Sequence, residues 1–282
     1  MPESISFQLD GLSFQGLCFG PNNGVPVLAL HGWLDNAASF EFLAPLLEGC
    51  RVVAVDQRGH GLSDNLNRPY HIWDGVPDVI GILDALEWDQ AILLGHSMGA
   101  AVSSLVASAF PDRISQLWLI EGLGPWAYSD GEAPDLLRKS TKRLMCLSDR
   151  RKPEYGTIEQ AIEARVRGGV APLTPQAADL IARRGLLKSS GGWIWASDQH
   201  LTLPPLFRLE EQQIQVFIER LKMPVSLVLG ETGFFVDPSF LPDRIKLCAA
   251  IRVETFKGGH HLHLEGAQQA IANWLLKGLN TE

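Results

Sequence analysis

A chain of 282 residues with 46 % apolar and 20 % charged residues can bury a sizeable core and is not a bulk-disordered chain. Its formal net charge of −8 argues against nucleic acid or a membrane surface as main partner, because both reward clustered lysine and arginine. Four scattered cysteines without a CxxC pair, a start without a basic-then-apolar leader, and no apolar run near the ~20 residues that span a bilayer point to a cytoplasmic protein with buried thiols.

In chain order, ISFQLDGLSFQGLCFG reads as two short strands around the turn-prone Asp10-Gly11. PVLALHG is an apolar run closed by glycine, the pattern of a strand buried on both faces. Residues 39–48 read as a helix, RVVAVDQRGHG as a second buried strand with a Gly-rich loop, and 74–88 as a helix with Pro77 near its start. QAILLGHS and ISQLWLIEG are further buried strands, separated by the small-residue helix MGAAVSSLVASAF. This rhythm predicts an α/β fold, a mostly parallel sheet with helices on both faces. It breaks over residues 123–222, where segments 132–147, 157–168 and 174–185 have helical spacing. An irregular aromatic stretch, GGWIWASDQHLTLPP, and an amphipathic helix, EEQQIQVFIERL, follow. The rhythm returns with PVSLVLG, a helix near 239–249, IRVETF and a helix over 266–278. The expectation is a core of residues 1–122 and 223–282, with 123–222 inserted as a helical cap.

Gly95-His96-Ser97-Met98-Gly99 matches G-x-S-x-G between a buried strand and a helix. At such a turn a serine is held in strained backbone, small neighbours leave room for the turn, and the hydroxyl projects from the sheet edge toward the free N–H groups of the next helix. Ser97 is therefore the candidate nucleophile. A serine needs a base, and the tail KGGHHLHLEGA offers His260, His261 and His263. With no second cluster of usable ligand spacing, these histidines are read as a base and packing residues, not as a metal site. His31 and His96, at strand ends beside glycines, are read as making local hydrogen bonds. The loop DQRGHGLSD at 56–64 is read as structural.

HGW at 31–33, DQRGHGLSD at 56–64, GHSMG at 95–99 and GGHHLHLE at 258–265 together resemble the α/β-hydrolase fold superfamily, in its motif order. Within it, HGWLDNAASF with IEGLGP at 120–125 resembles the serine hydrolase-like protein family. The resemblance implies His260 as the catalytic histidine, five residues before Glu265. It also implies an oxyanion hole from the backbone N–H groups of Trp33 and Met98. The superfamily usually places the acid three residues beyond the glycine that closes the strand after the cap; here that slot is Gly233. Haloalkane dehalogenase-like members carry it instead at the end of the strand after the nucleophile helix, which implies Glu121. Glu231 and Asp237 are the alternatives, and Phe234 and Phe235 are read as pocket wall facing the cap.

The function these features imply is a carboxylesterase-type hydrolase acting through an acyl-enzyme, without cofactor or metal. Trp126, Trp193, Trp195 and Phe207 in the insertion point to a small, mainly apolar substrate. A serine in the nucleophile slot argues against the aspartate-dependent dehalogenase and epoxide hydrolase chemistries. A cofactor-free lyase or C–C hydrolase on the same triad, and a catalytically silent binding protein with a displaced acid, are the competing readings.

Overall fold

The computed structural model describes residues 2–127, 131–169, 171–234 and 239–279. Phe235 and Asp237 lie outside them. Ten strands and eight α-helices are described, and none of the helices is long and apolar enough to cross a membrane. The strands are β1 (Glu3–Leu9), β2 (Leu12–Phe19), β3 (Val25–Leu30), β4 (Cys50–Val55), β5 (Ala91–His96), β6 (Ile114–Ile120), β7 (Leu186–Ser189), β8 (Gly192–Trp195), β9 (Val225–Gly230) and β10 (Ile251–Phe256). The helices are α1 (Gly75–Ala85), α2 (Met98–Ala109), α3 (Ala133–Met145), α4 (Ile158–Arg167), α5 (Pro175–Gly185), α6 (Glu211–Glu219), α7 (Leu241–Leu247) and α8 (Gln268–Leu279).

Eight strands form one sheet in the order β1-β2-β4-β3-β5-β6-β9-β10, antiparallel through β2 and parallel from β4 onward. The continuous apolar runs of β3, β4 and β5 arise because both faces are covered. Leu28, Leu30, Val53, Val55 and Leu93 pack with α1, α2 and α6, while the alternate residues Val27, Ala29, Val52, Ala54, Ile92 and Leu94 pack with α8. Parallel pairing brings the C-terminal ends of the central strands to one edge: Leu30 pairs Gly95, His96 pairs Ile120, and Ile120 pairs Val228. Such an edge is where ligands bind in open α/β sheets.

Two local expectations fail. Residues 39–48 are not an α-helix but two 3₁₀ turns, Ala37–Phe40 and Ala44–Leu46. Asn36 caps the first, Pro45 sits in the second, and Gly49 at φ 78° closes the segment. The GGWIW stretch is not irregular: β7 and β8 pair antiparallel, closing on Gly192 at φ 142°. Of the four cysteines, Cys146 is exposed and the other three are buried.

Between β6 and β9, α4 and α5 pack with the β7–β8 hairpin in small clusters around Ala161, Ala178, Ile181 and Ala182. α6 instead buries Ile214 and Ile218 in the main core beside α2. The segment between β6 and β9 is fastened to the sheet edge through polar contacts. Asn36 donates to Ile181 O at 2.9 Å, Tyr70 OH donates to Asp198 at 2.8 Å, and Arg184 pairs with the fully buried Asp56 at 2.9 Å.

Candidate active site

Ser97 sits at φ 52°, ψ −111°, between β5 and α2. Few non-glycine residues occupy positive φ without a constraint that holds them there. The flanking glycines are that constraint. A Cβ on Gly95 would lie 2.6 Å from Gly99 O and from the Ala100 backbone, and one on Gly99 would lie 1.9 Å from Leu30 O. Gly99 N–H donates to His31 O at 3.1 Å, drawing α2 against the end of β3. Gly99→Ala is therefore expected to destabilise the fold by about 3 kcal/mol, lowering Tm by roughly 6–12 °C in calorimetry. A Tm within 2 °C of wild type would contradict this packing account.

The loop after β3 is fixed by His31. Its Nε2 accepts from Gln57 N–H at 3.0 Å, so the proton sits on Nδ1, which donates to Gly32 O at 2.7 Å. Burial lowers the pKa of His31 and keeps it neutral, as both bonds require. Trp33 indole N–H donates to Leu201 O of the insertion at 2.9 Å. Among the described residues, the backbone N–H groups of Trp33 and Met98 have no protein acceptor, whereas those of Ser97 and Gly99 do.

His260 is 5 % exposed, on the loop after β10. Its Nδ1 lies 3.1 Å from Glu121 Oε2. Glu121 is fully buried at φ 54°, just past β6. Its carboxylate accepts Gly230 N–H at 2.7 Å on Oε1 and Phe234 N–H at 2.9 Å on Oε2. A Cβ on Gly233 would lie 2.3 Å from both carboxylate oxygens, so the empty acid slot is the space this glutamate fills. The alternative acid Glu231 is exposed. The Phe234 ring stacks on His260, with centroids 4.1 Å apart and 23° between planes, instead of only walling a pocket. Glu265 accepts Thr174 N–H from the insertion.

His96 is more than a local hydrogen-bonding residue. Its Nε2–H donates to His260 O at 2.9 Å, and its ring lies 4.2–5.1 Å from those of His260, His261 and His263. Burial, reinforced by His263, His260 and His261, pushes its imidazole well below the ordinary value. His261 Nε2 lies 3.2 Å from Asp35, a residue that no sequence motif singles out. Donor atoms of Asp35, His96 and His261 all lie within 4.8 Å of one another. Arg165, 3.0 Å from the same carboxylate, already supplies positive charge there. Burial alone would raise the Asp35 carboxyl, but His261, Arg165 and His96 hold it well below the usual carboxylate range.

Two more of the buried imidazoles predict acid sensitivity. Burial pushes His60 and His263 down to about 3. Unfolded histidine takes a proton near pH 6.5, so below that pH the unfolded chain gains protons that the folded one refuses, and stability falls until about pH 3. At pH 5 each costs about 2 kcal/mol. Urea unfolding is expected to show a loss of about 4 kcal/mol from this pair between pH 7 and pH 5; equal midpoints at the two pH values would refute it.

Two cavities flank the loop after β3, and Ser97 lines neither. One of about 50 Å³, largely apolar, is bounded by Leu30, Ile72, Met98 and Leu201. The other, about 450 Å³, is bounded by Leu34 and by the insertion. Of the four aromatics in this segment, Trp195 lines the larger cavity, Trp193 packs with Ala161 and Leu186, and Trp126 and Phe207 are half exposed.

The chain matches the family model of the alpha/beta hydrolase fold over residues 25–146. It is 30 % identical to a serine hydrolase-like protein of Danio rerio over 90 % of this chain and 81 % of the relative. It is 28 % identical to a 2-(acetamidomethylene)succinate hydrolase of Mesorhizobium japonicum, over 85 % of this chain and 82 % of that one. The crystal structure of a hypothetical protein from Pseudomonas aeruginosa PAO1, 41 % identical, superposes with a TM-score of 0.93 over 98 % of this chain and 99 % of the other. The chain belongs to the serine hydrolase-like protein family, within the alpha/beta hydrolase fold.

Proposed function

We propose that the protein is a serine hydrolase that cleaves an ester, thioester or amide of a small substrate with a mainly apolar body, through an acyl-enzyme. The observation that carries this reading is the Glu121 carboxylate 3.1 Å from His260 Nδ1, in a space only a glycine at 233 leaves open. In this reading Glu121 holds the Nδ1–H tautomer, leaving Nε2 as the base. Nε2 takes the Ser97 proton as Oγ attacks the carbonyl carbon. The N–H groups of Trp33 and Met98 receive the oxyanion; loss of one such donor typically costs about 10²–10³ in rate. His260 passes the proton to the leaving group, then activates the water that releases the acyl group from Ser97.

The relative named for hydrolysis of 2-(acetamidomethylene)succinate supports small-molecule hydrolysis. The insertion over residues 123–222 acts as a cap, with α6 as the strut that anchors it to the core. The contact of Glu121 with His260 supports catalysis over a silent receptor with a displaced acid. The test is stopped-flow hydrolysis of 4-nitrophenyl esters of graded chain length. The expected result is a burst of one equivalent of 4-nitrophenolate per protein before the steady state. Turnover of the esters without a burst at any chain length would count against an accumulating acyl-enzyme, and no turnover would count against hydrolysis itself.

A further inference from the structure

The larger cavity has a charge that the chain as a whole does not. In a protein of net charge −8, Arg150, Arg151, Lys152 and Arg165 line it against a single carboxylate, Asp198. Asp198 is already engaged: one oxygen accepts from Tyr70 OH at 2.8 Å, and the other faces His200 N–H and Nδ1 at 3.0 and 2.8 Å. Arg150 and Arg151 therefore find no available carboxylate in this lining. Lys152 is held by the carbonyls of Trp195 and Ala196, at 3.1 and 3.3 Å, which leave its charge unmatched. Burial pulls its pKa down, and Asp198 only partly opposes that shift. Arg165 is 9 % exposed, and its Nε is buried without a partner, although its other nitrogens bind Asp35 and the carbonyls of Gly168 and Ala171.

Like charges gathered around a concave space repel one another, and an anion in that space relieves the repulsion. Arginine forks in particular match the planar oxygens of a carboxylate or phosphate. The cavity also adjoins the proposed chemistry. Leu34 follows Trp33, the proposed oxyanion donor, and Thr202 in its lining follows Leu201, the acceptor of the Trp33 indole. Arg165 binds Asp35, which contacts His261 beside His260.

We infer that this cavity binds an anionic group of the substrate, a carboxylate or phosphate, while the scissile carbonyl lies at Ser97. The inference rests on the hydrolase reading for its substrate and on the cavity alone for its charge. It is tested by comparing kcat/KM for mono-4-nitrophenyl glutarate with that for the neutral 4-nitrophenyl valerate of equal chain length. The anionic ester is expected to be favoured at least tenfold by the wild-type protein. The ratio is expected to shrink as sodium chloride rises from 50 to 500 mM. In Arg150→Gln/Arg151→Gln it is expected to fall to near one, a readout that partial loss of folded protein does not move. Equal rates for the two esters in wild type, or an unchanged ratio in the variant, would overturn the inference. Should neither ester be hydrolysed, the hydrolase reading falls by itself, and calorimetric titration with glutarate and with inorganic phosphate decides the cavity. Saturable binding that weakens at least tenfold in the variant supports it and tells carboxylate from phosphate. Binding of neither anion, or binding that the variant leaves unchanged, overturns it.

Discussion

Replacing Ser97 by alanine is expected to lower kcat/KM for 4-nitrophenyl esters by about 10⁴- to 10⁶-fold. The fold should survive, because the strained backbone is imposed from outside the side chain. Gly95 and Gly99 permit the approach of α2 to β3, and the Ser97 N–H is held by Ile120 O at 2.9 Å. Alanine keeps the Cβ and loses only the hydroxyl, so Tm should stay within about 2 °C of wild type. The pairing of an intact fold with lost activity is what separates a nucleophile from a structural serine. A Ser97→Ala protein that retains more than a tenth of wild-type kcat/KM would place the chemistry elsewhere.

Glu121→Gln is expected to cost about 10²–10⁴ in kcat/KM, by analogy with triads whose carboxylate becomes an amide. The physical reason lies in the donor count. The Glu121 carboxylate meets three donors, the N–H groups of Gly230 and Phe234 and the Nδ1–H of His260. A carboxylate accepts from all three, whereas an amide must turn its own NH₂ toward at least one of them. Either flip leaves a buried donor unsatisfied, so stability falls as well, by about 1–3 kcal/mol. Glu231→Gln, on an exposed residue, is expected to change kcat/KM less than twofold. Gly233→Asp alone should be destabilised and inactive, because its Cβ would collide with the Glu121 carboxylate. Joined to Glu121→Gly, which also relieves the positive φ at 121, it should recover at least tenfold over Glu121→Gly alone. Wild-type rates for Gly233→Asp, or no recovery in the double variant, would break the proposed link between positions 121 and 233.

The parallel core was legible because its strands are buried on both faces. Runs such as VPVLAL and AILLGH carry that burial in their composition. The strained turn at Ser97 was legible for a related reason, since a G-x-S-x-G turn imposes its demands on adjacent residues. The 3₁₀ turns at 37–46 were misread because apolar spacing alone does not separate one helical turn from several; Pro45 and Gly49 carried the missing signal. The β7–β8 hairpin was misread although Ser190-Gly191-Gly192, between LLKS and WIW, is a turn signal. The contacts around His96 and Asp35 were not legible at all. They join residues 130–226 positions apart, and no local pattern encodes such pairs. Glu121 lies between these cases: the vacant acid slot and the strand-end glutamate could both be read, but their shared volume needed coordinates.

Fluorophosphonate labelling followed by peptide mapping tests the proposed role of Ser97 most directly, because the probe phosphonylates only an activated nucleophile. One adduct per protein is expected, on Ser97, formed at least a hundredfold more slowly in Glu121→Gln and absent from Ser97→Ala. A folded wild-type protein that acquires no adduct, or acquires it on another residue, would contradict it.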